Sequence, residues 1–418
     1  MHTRFLFIIL LSLVFFSYAS AQPPVMSKPL AGRLIDYRLI RSFTADEVKN
    51  WLKHEHIPKA VFAARDGLSV YEIQYYTTHV DGRIVKVSGQ LYVPQGDKRP
   101  SPLVIYNHGS QACRDIYFNG KDEQIICLAY ATDGYVVICP DYIGLGEGEG
   151  YQIMLNAPTE AGATVDMLTV VTELLPSLNV KTDKELFLAG YSQGGHACMA
   201  TYKLLQDRYK DRFPVTAAFP MSGPYDVEGT VYDARRQPNE NPVYLMMLFA
   251  SYYESMDSLS QLHKALVPPY DTLIPPMMNG EWPEEVLNAC LPDTCYLAVQ
   301  PALFKEFESD NSPLRKYLRS NNVYDWKPES PTELCYCMHD EQVPYKNSIT
   351  AYNTMRKNGS TNVHLWMAGK KFRHISCATF AVVYAKMFFD GFRNGHPMTH
   401  GPLGKRALLN IGKLFVKP

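Results

Sequence analysis

The sequence predicts an α/β fold: a mainly parallel sheet of about eight strands, with helices on both faces and a largely helical inserted cap. Short apolar runs that end in Gly, Pro or Asn lie at 102–107, 135–140, 185–190 and 215–220. Such runs are typical of strands buried on both faces. Helical stretches from Ala161 to Leu175 and from Gly195 to Tyr209 separate consecutive runs, and this alternation favours parallel β-α-β units.

The first residues are predicted to be an export signal. Arg4 precedes an apolar run over 5–16, and the small residues Ala19-Ser20-Ala21 follow. This is the layout of a signal peptide, so we expect residues 1–21 to be removed by cleavage after Ala21. The run is shorter than the roughly 20 apolar residues that a spanning helix needs. We therefore expect a secreted or periplasmic protein without an integral membrane segment after cleavage.

An N-terminal lead-in is expected over residues 22–66. Its first part, 22–43, is rich in Pro and is predicted to be irregular. A short helix from Thr44 to His54 follows, because Thr44 and Glu47 have the spacing of a capping box. A hairpin comes next, since two aromatic and β-branched runs flank the turn dipeptide Asp81-Gly82.

The strand and helix alternation stops between about Gly223 and Lys327, which we interpret as the cap. Its most apolar part is YLMMLFASYYE, whose residues are apolar all round at helical spacing. The alternation then resumes with strands at 333–338 and 363–368 and helices at 344–357 and 377–391. The predicted core thus comprises 67–222 and 328–418, and the predicted cap comprises 223–327.

Charge and cysteine content limit the possible partners. Arg4 is the single charged residue of the signal segment, so its loss takes the formal net charge from −1 to −2. This near-neutral balance argues against nucleic acid as a partner. Nine cysteines is an odd number, so at least one is free or pairs between chains. Cys290 and Cys295 flank a short turn and are the best local disulfide candidates. No cysteine or histidine spacing suggests a metal site.

The chemistry is expected to centre on Ser192. The run Gly190-Tyr191-Ser192-Gln193-Gly194 follows an apolar strand and begins a helix, which is where a nucleophile elbow must lie. A serine hydroxyl becomes a useful nucleophile when a histidine base takes its proton and a carboxylate holds that histidine. The sequence therefore needs an acid and a histidine that follow Ser192 in that order.

Asp340 and His374 meet this requirement. Each comes directly after a predicted strand, at the edge where parallel sheets assemble their sites. Glu341 is an alternative acid if the turn is displaced by one residue, and Asp226 is a second alternative after an earlier strand. His364 lies within a strand and is interpreted as structural.

Two backbone N–H groups are expected to stabilise the oxyanion. One is that of Gln193, directly after the nucleophile. The other should come from the loop Asn107-His108-Gly109-Ser110, where the N–H of Ser110 is the best candidate. His108 is expected to support this loop, and no role is assigned to His196.

These motifs resemble the secretory-lipase-like branch of the α/β-hydrolase superfamily, which includes fungal secreted lipases and related bacterial esterases. The resemblance is carried by VSGQLYVP (87–94), NHGS (107–110), PDYIGLG (140–146) and GYSQGGH (190–196), and it covers roughly 65–225 and 330–393. It implies hydrolysis of carboxylic esters without a cofactor, with Ser192, Asp340 and His374 as triad. Asp141 of PDYIGLG is expected to hold its loop. One departure is the run SQACRDIYFNG after His108-Gly109, which changes one wall of the acyl pocket.

The predicted function is therefore a serine esterase or lipase that acts on a small-molecule ester. A serine peptidase of the prolyl-peptidase kind and an acyltransferase are alternatives on the same core. A peptidase would need a carboxylate to anchor the substrate amine, for which Glu147, Glu149 and Glu254 are available. A catalytically silent binding module is disfavoured by the ordered Ser, Asp and His.

Overall fold

A single nine-stranded sheet organises the protein. The computed structural model describes residues 30–54, 62–96, 99–114, 123–235, 237–256 and 258–396, so the predicted signal peptide lies outside the described residues. In chain order the strands are β1 (Leu34–Phe43), β2 (Gly67–Thr78), β3 (Ile84–Gln95), β4 (Ser101–Asn107), β5 (Val136–Pro140), β6 (Thr182–Tyr191), β7 (Ala217–Met221), β8 (Thr332–Cys337) and β9 (Val363–Gly369). Their order in the sheet is β1-β2-β3-β5-β4-β6-β7-β8-β9. The first three strands pair antiparallel, β3 joins β5 antiparallel, and all later pairings are parallel. The mainly parallel sheet is confirmed, with one strand more than about eight.

The elements follow the chain in the predicted alternation. The core helices are α1 (Ala45–His54), α2 (Gln124–Thr132), α3 (Ala157–Leu174), α4 (Gln193–Arg208), α11 (Lys346–Lys357) and α12 (His374–Arg393). Between β7 and β8 lie α5 (Val227–Ala234), α6 (Pro242–Ser255), α7 (Tyr270–Leu273), α8 (Glu284–Ala289), α9 (Pro301–Glu308) and α10 (Pro313–Ser320).

The N-terminal segment contains a strand that the sequence analysis did not predict. Residues 34–43 form β1, which pairs antiparallel with β2 at the edge of the sheet, whereas we had expected irregular chain here. Strand patterns are recognised by alternation between buried and exposed positions. Residues 34–42 are all exposed, so the segment has no buried face and lacks the alternating pattern that would predict a strand. Pairing with β2, and not burial, defines this strand.

The predicted capping box and hairpin are both present. The Glu47 N–H donates to Thr44 Oγ1 at 3.2 Å, and the Thr44 N–H donates back to Glu47 Oε2 at 2.8 Å. The β2 and β3 strands pair antiparallel around a turn in which Gly82 has a φ of 87°. A positive φ of this kind is readily adopted by glycine, which explains the turn signal.

Helices cover both faces of the sheet. One apolar cluster combines α1, α2 and α12 with one face, and a second combines α3, α4 and α11 with the other. A third cluster lies in the helices between β7 and β8, where ten residues of α6 are buried. Among the described residues, α12 is the one helix long and apolar enough to cross a membrane, but it packs against the sheet as a core helix.

The disulfide differs from the predicted pair. Cys337 and Cys377 are bonded, with Cα atoms 6.0 Å apart, while Cys290 and Cys295 are free thiols. The prediction of a Cys290–Cys295 bond was therefore wrong. Cys290 lies at the end of α8 and packs against the third apolar cluster, in which Cys295 is buried. Proximity along the chain suggested that pair, whereas packing of α12 against β8 brings together two cysteines that are 40 positions apart.

Candidate active site

Ser192 lies at a sharp turn between β6 and α4. Its backbone has a φ of 57°, which is unusual for a residue with a side chain, and its N–H donates to Met221 O at 3.0 Å. The glycines around it allow this close packing. A Cβ atom on Gly194 would collide with the carbonyl of Asn107, and one on Gly195 would lie 2.6 Å from Met221 O. This is the geometry of a nucleophile elbow.

The imidazole of His374 is held by the carboxylate of Asp340. Nδ1 of His374 lies 2.8 Å from Oδ1 and 2.9 Å from Oδ2 of Asp340, and both side chains are buried. Asp340 Oδ1 also accepts the backbone N–H groups of Gln342 and Val343. Because Nδ1 donates to the carboxylate, the Nε2 atom of the neutral ring is left as a proton acceptor.

Tyr191 brings His374 next to the elbow. The Tyr191 hydroxyl donates to the carbonyl oxygen of His374 at 2.6 Å, and the two ring centroids are 5.0 Å apart. Since Tyr191 directly precedes Ser192, the N-terminus of α12 is held against the turn that carries the serine. The disulfide also links the segments that carry the two side chains. Cys337 lies three positions before Asp340, and Cys377 lies three positions after His374.

The two alternative acids have other partners. Glu341 Oε2 accepts the backbone N–H of His374 at 3.0 Å and lies 3.4 Å from Arg373 Nε. Asp226 caps α5, where its side chain accepts the Gly229 N–H at 3.0 Å. Of the three carboxylates considered, Asp340 is the one whose oxygens contact the His374 ring.

The predicted oxyanion loop packs directly on the elbow. A Cβ atom on Gly109 would lie 3.7 Å from Ser192 Cβ and 3.5 Å from Tyr191 O. The Gly109 N–H donates to Glu123 Oε2 at 2.8 Å. That bond occupies the Gly109 donor and leaves the next N–H in the loop, that of Ser110, as the candidate. Gln193 begins α4, where the first N–H groups of a helix have no partner within the helix.

His108 supports this loop, as its position in the sequence suggested. Its Nδ1 donates to Gly109 O at 2.7 Å, and its ring packs on Tyr142 with centroids 4.5 Å apart. Tyr142 in turn donates to His108 O at 3.0 Å. Burial lowers the pKa of His108 to about 4, so the ring is neutral and shapes the loop.

A buried network beneath the elbow was missed by the sequence analysis. Glu160 on α3 contacts His196 Nδ1 through Oε2 at 2.6 Å and accepts the Gln193 side-chain amide through Oε1 at 2.8 Å. His196 Nε2 lies 2.8 Å from the carbonyl of Asn321. A carbonyl oxygen accepts only, so Nε2 donates, and Glu160 and His196 together hold a further proton between Oε2 and Nδ1. The sequence did contain one indication of this network, because Gln193 and His196 lie three positions apart and therefore share a face of α4. Their common partner Glu160 on α3 could not be recognised from the sequence.

Asp141 holds the PDYIGLG loop. The Ser88 hydroxyl donates to Asp141 Oδ2 at 2.6 Å, and the Asp141 N–H donates to Ser88 O at 3.0 Å. Burial raises the pKa of Asp141 to about 7. Within the described parts of the chain, no group of three or more His, Cys, Asp or Glu side chains is placed to hold a metal ion.

Comparison with known proteins identifies solved structures of the same fold. No protein-family model and no curated protein matches the chain. A candidate hydrolase from Legionella pneumophila is 29% identical, with a TM-score of 0.81 over 88% of this chain and 100% of that chain. The rice cell wall degrading esterase LipA from Xanthomonas oryzae is 28% identical, with a TM-score of 0.74 over 85% and 95% of the two chains.

A more distant structure shares the fold alone. Candida antarctica lipase A is 17% identical, with a TM-score of 0.65 over 89% of this chain and 85% of that chain. The mainly parallel sheet, the helices on both faces and these structural neighbours agree with one another. The chain therefore belongs to the α/β-hydrolase superfamily.

Proposed function

We propose that the protein is a serine esterase that cleaves carboxylic esters through an acyl-enzyme. The observation that carries the proposal is the buried His374–Asp340 pair held beside the strained turn of Ser192. The esterase LipA, at 28% identity, supports ester hydrolysis over other reactions of this fold. The same arrangement of nucleophile, base and acid recurs in unrelated serine hydrolases.

The proposed first half-reaction forms the acyl-enzyme. Ser192 Oγ attacks the ester carbonyl carbon while His374 Nε2 takes the hydroxyl proton, and the carbonyl electron pair moves onto oxygen. Asp340 stabilises the resulting imidazolium through Nδ1. When the tetrahedral intermediate collapses, the bond to the alcohol oxygen breaks and His374 gives its proton to that oxygen.

The second half-reaction repeats these steps with water. His374 takes a proton from water, the hydroxide oxygen attacks the acyl carbon, and Ser192 leaves with the proton returned from His374. In both intermediates the oxyanion accepts hydrogen bonds from the backbone N–H groups of Ser110 and Gln193. Each such donor contributes on the order of 3 kcal/mol to transition-state stabilisation.

A cavity between the cap helices and the core loops is the proposed acyl site. Its volume is about 400 Å³, within the range of small-molecule pockets. The wall is mainly apolar and includes Ala112, Tyr151, Met247, Met277, Met278 and Leu287. Ala112 lies two positions after Ser110, so the cavity begins close to the oxyanion loop. Flexible Met side chains suit an irregular acyl group.

One polar group in this cavity indicates that the acyl group of the substrate is more than a plain alkyl chain. Gln152 lines the cavity, is buried, and has a side-chain nitrogen with no hydrogen-bond partner among the described residues. An unpaired buried donor costs free energy unless a ligand accepts from it. We therefore propose an acyl group that is apolar but carries an oxygen substituent within reach of Gln152.

The carboxylates considered for the peptidase alternative are engaged away from the elbow. Glu254 Oε1 lies 3.6 Å from His79 Nε2 beside the β2–β3 turn. Glu149 Oε2 accepts the Lys86 N–H at 3.2 Å, and Glu147 Oε1 lies 4.0 Å from Arg38. These contacts leave ester cleavage as the better-supported function.

The decisive experiment is hydrolysis of a series of p-nitrophenyl esters, from acetyl to long acyl chains, with a prolyl amide measured alongside. We expect ester turnover that is abolished in Ser192→Ala, together with loss of labelling by a fluorophosphonate probe. Labelling that persists in Ser192→Ala refutes the nucleophile. Faster cleavage of the amide than of any ester would move the peptidase function to first place.

The oxyanion donor can be tested separately from the Ser110 side chain. Ser110→Ala keeps the backbone N–H and is the matched control, so its kcat should stay within a few-fold of wild type. Ser110→Pro removes the N–H and should lower kcat by roughly 100-fold or more. Thermal unfolding of both variants separates this effect from misfolding, and equal kcat in the two folded variants contradicts the assignment.

We also propose that the mature protein is exported. The signal-like segment 1–21 and the Cys337–Cys377 disulfide both support this, because disulfides persist in oxidising compartments. N-terminal sequencing of the exported protein should begin at Gln22. A mature N-terminus that retains Arg4 contradicts the proposal.

A further inference from the structure

Two carboxylates hold the backbone on either side of Ser110. The Gly109 N–H donates to Glu123 Oε2 at 2.8 Å. The Ala112 N–H donates to Glu284 Oε1 at 3.2 Å. Hydrogen bonds to a carboxylate are stronger than those between neutral groups, so each contact restrains its part of the backbone. The N–H of Ser110 therefore lies in a short segment, 109–112, that is fixed at both ends.

The two carboxylates come from different parts of the fold. Glu123 directly precedes α2 of the core, whereas Glu284 is the first residue of α8 in the cap. Ala112 and Glu284 are 172 positions apart in the chain. Their contact therefore forms only when the cap is packed on the core. The position of segment 109–112 depends on the cap as well as on the core.

The carboxylate of Glu284 is itself held by α6. The Tyr244 hydroxyl donates to Glu284 Oε2 at 2.7 Å, so the two oxygens of Glu284 have separate partners. Burial and the nearby Glu284 carboxylate raise the pKa of Tyr244 above its ordinary value, and the hydroxyl keeps its proton as a donor. Asn288 joins the same two helices, because its Oδ1 accepts the Val243 N–H at 3.0 Å. Glu284 is thus mounted on helices that pack together.

A second contact with the cap lies just beyond this segment. The Arg114 N–H donates to Gly280 O at 2.6 Å. The Arg114 guanidinium donates to Gly148 O at 2.6 Å and to Gly150 O at 2.7 Å. The Gly280 contact is made by a backbone oxygen, whereas the contact of Glu284 is made by a side chain. Substitution of Glu284 therefore removes one cap contact and leaves the other in place.

We propose that Glu284 is a positioning residue, which sets the N–H of Ser110 for the oxyanion by holding Ala112. This inference rests on the proposed esterase function and gives the cap a part in the chemical step, in addition to lining the acyl cavity. A reacting group that is misplaced by about 1 Å can lower a rate by roughly 100-fold. Loss of the Glu284 contact should therefore lower kcat more than it raises KM.

Substitutions of Glu284 test this role with p-nitrophenyl acetate as substrate. Glu284→Leu keeps the bulk of the side chain but removes the acceptor, so kcat should fall by about 10- to 100-fold with KM changed only a few-fold. Glu284→Gln keeps an oxygen that can accept from Ala112 and should restore kcat to within a few-fold of wild type. Wild-type kcat in Glu284→Leu, or no rescue by Glu284→Gln, overturns the proposal.

The matched control is Glu285→Leu. Glu285 is the next residue of α8 and is exposed, and the control removes the same charge from the same helical turn. Its kcat and KM should equal those of wild type. Thermal unfolding of all three variants shows whether they are folded at the assay temperature. A loss of kcat in the control as large as that in Glu284→Leu shows a general charge effect and overturns the specific role of Glu284.

A trifluoromethyl ketone measures the oxyanion contact directly. Ser192 Oγ adds to the ketone carbon, the hydroxyl proton passes to His374, and the carbonyl electron pair moves onto the oxygen. This adduct resembles the tetrahedral intermediate, so Ki should rise in Glu284→Leu by the factor by which kcat/KM falls. A role in stability alone would leave Ki unchanged in the folded variant. An unchanged Ki therefore overturns the proposal.

A double-mutant cycle with Ser110→Pro shows whether Glu284 acts through the Ser110 N–H. Once that N–H is absent, Glu284→Leu should lower kcat little further, because the two changes affect one interaction. Two full and independent losses overturn the proposal. These outcomes are distinct from failure of the esterase function itself, in which wild type would not turn over esters or Ser192→Ala would keep its activity.

Discussion

The Cys337–Cys377 disulfide leads to a quantitative prediction about stability. The bond closes a ring of about 40 residues, and this ring contains both Asp340 and His374. Loop-closure entropy for a ring of that length corresponds to about 4 kcal/mol at 25 °C. We therefore expect Cys337→Ala/Cys377→Ala to unfold in urea with a free energy about 4 kcal/mol below that of the oxidised wild type. Activity should fall as well, because the segment that carries the proposed acid and base is less constrained.

The matched control is Cys290→Ala/Cys295→Ala, the pair that lies close in sequence but is free in the structure. Urea unfolding is measured for each protein with and without a thiol reductant. Wild type and the control variant should both lose about 4 kcal/mol on reduction, whereas Cys337→Ala/Cys377→Ala should be insensitive to it. Reductant sensitivity that disappears in the control variant, or persists in the other, would refute the disulfide assignment.

Three further predictions concern buried polar groups. Burial raises the pKa of Asp141 from 3.8 to about 7, so the folded state binds this proton more tightly and stability is lost as pH rises from about 4 through about 7. Above about pH 7, Asp141→Asn should therefore be more stable than wild type by on the order of 4 kcal/mol, and below about pH 4 the two proteins should be equally stable. If urea unfolding shows a stability difference that is constant with pH, this prediction is contradicted. Glu160→Leu should lower the free energy of unfolding by about 3–5 kcal/mol, because it leaves the buried His196 without its carboxylate partner. The double variant Glu160→Leu/His196→Leu should lose less free energy of unfolding, and equal losses in the two variants argue against a coupled pair. Gln152→Leu should lower kcat/KM about tenfold for hydroxylated acyl esters and leave plain alkyl esters unchanged; equal effects on both ester types contradict the proposed contact.

Much of the architecture was predictable because it depends on local patterns. Strands buried on both faces produce continuous apolar runs, and a nucleophile elbow requires a serine between glycines at a strand–helix junction. The capping box of α1 and the turn at Asp81-Gly82 are equally local. The positions of Asp340 and His374, directly after β8 and β9, follow from the rule that sites form at the carboxyl edge of a parallel sheet.

The tertiary structure decided the features that depend on contacts between distant segments. The carboxylate that contacts His374 depends on how the Asp340-Glu341 turn faces the start of α12. The disulfide partner, the Glu160–His196 contact and the pairing of β1 with β2 join residues between 25 and 41 positions apart. By itself the sequence determined the order of the core elements and the elbow at Ser192, because both depend on spacing between near neighbours. Packing alone decided which distant side chains meet, because those contacts arise only when the sheet and its helices have assembled.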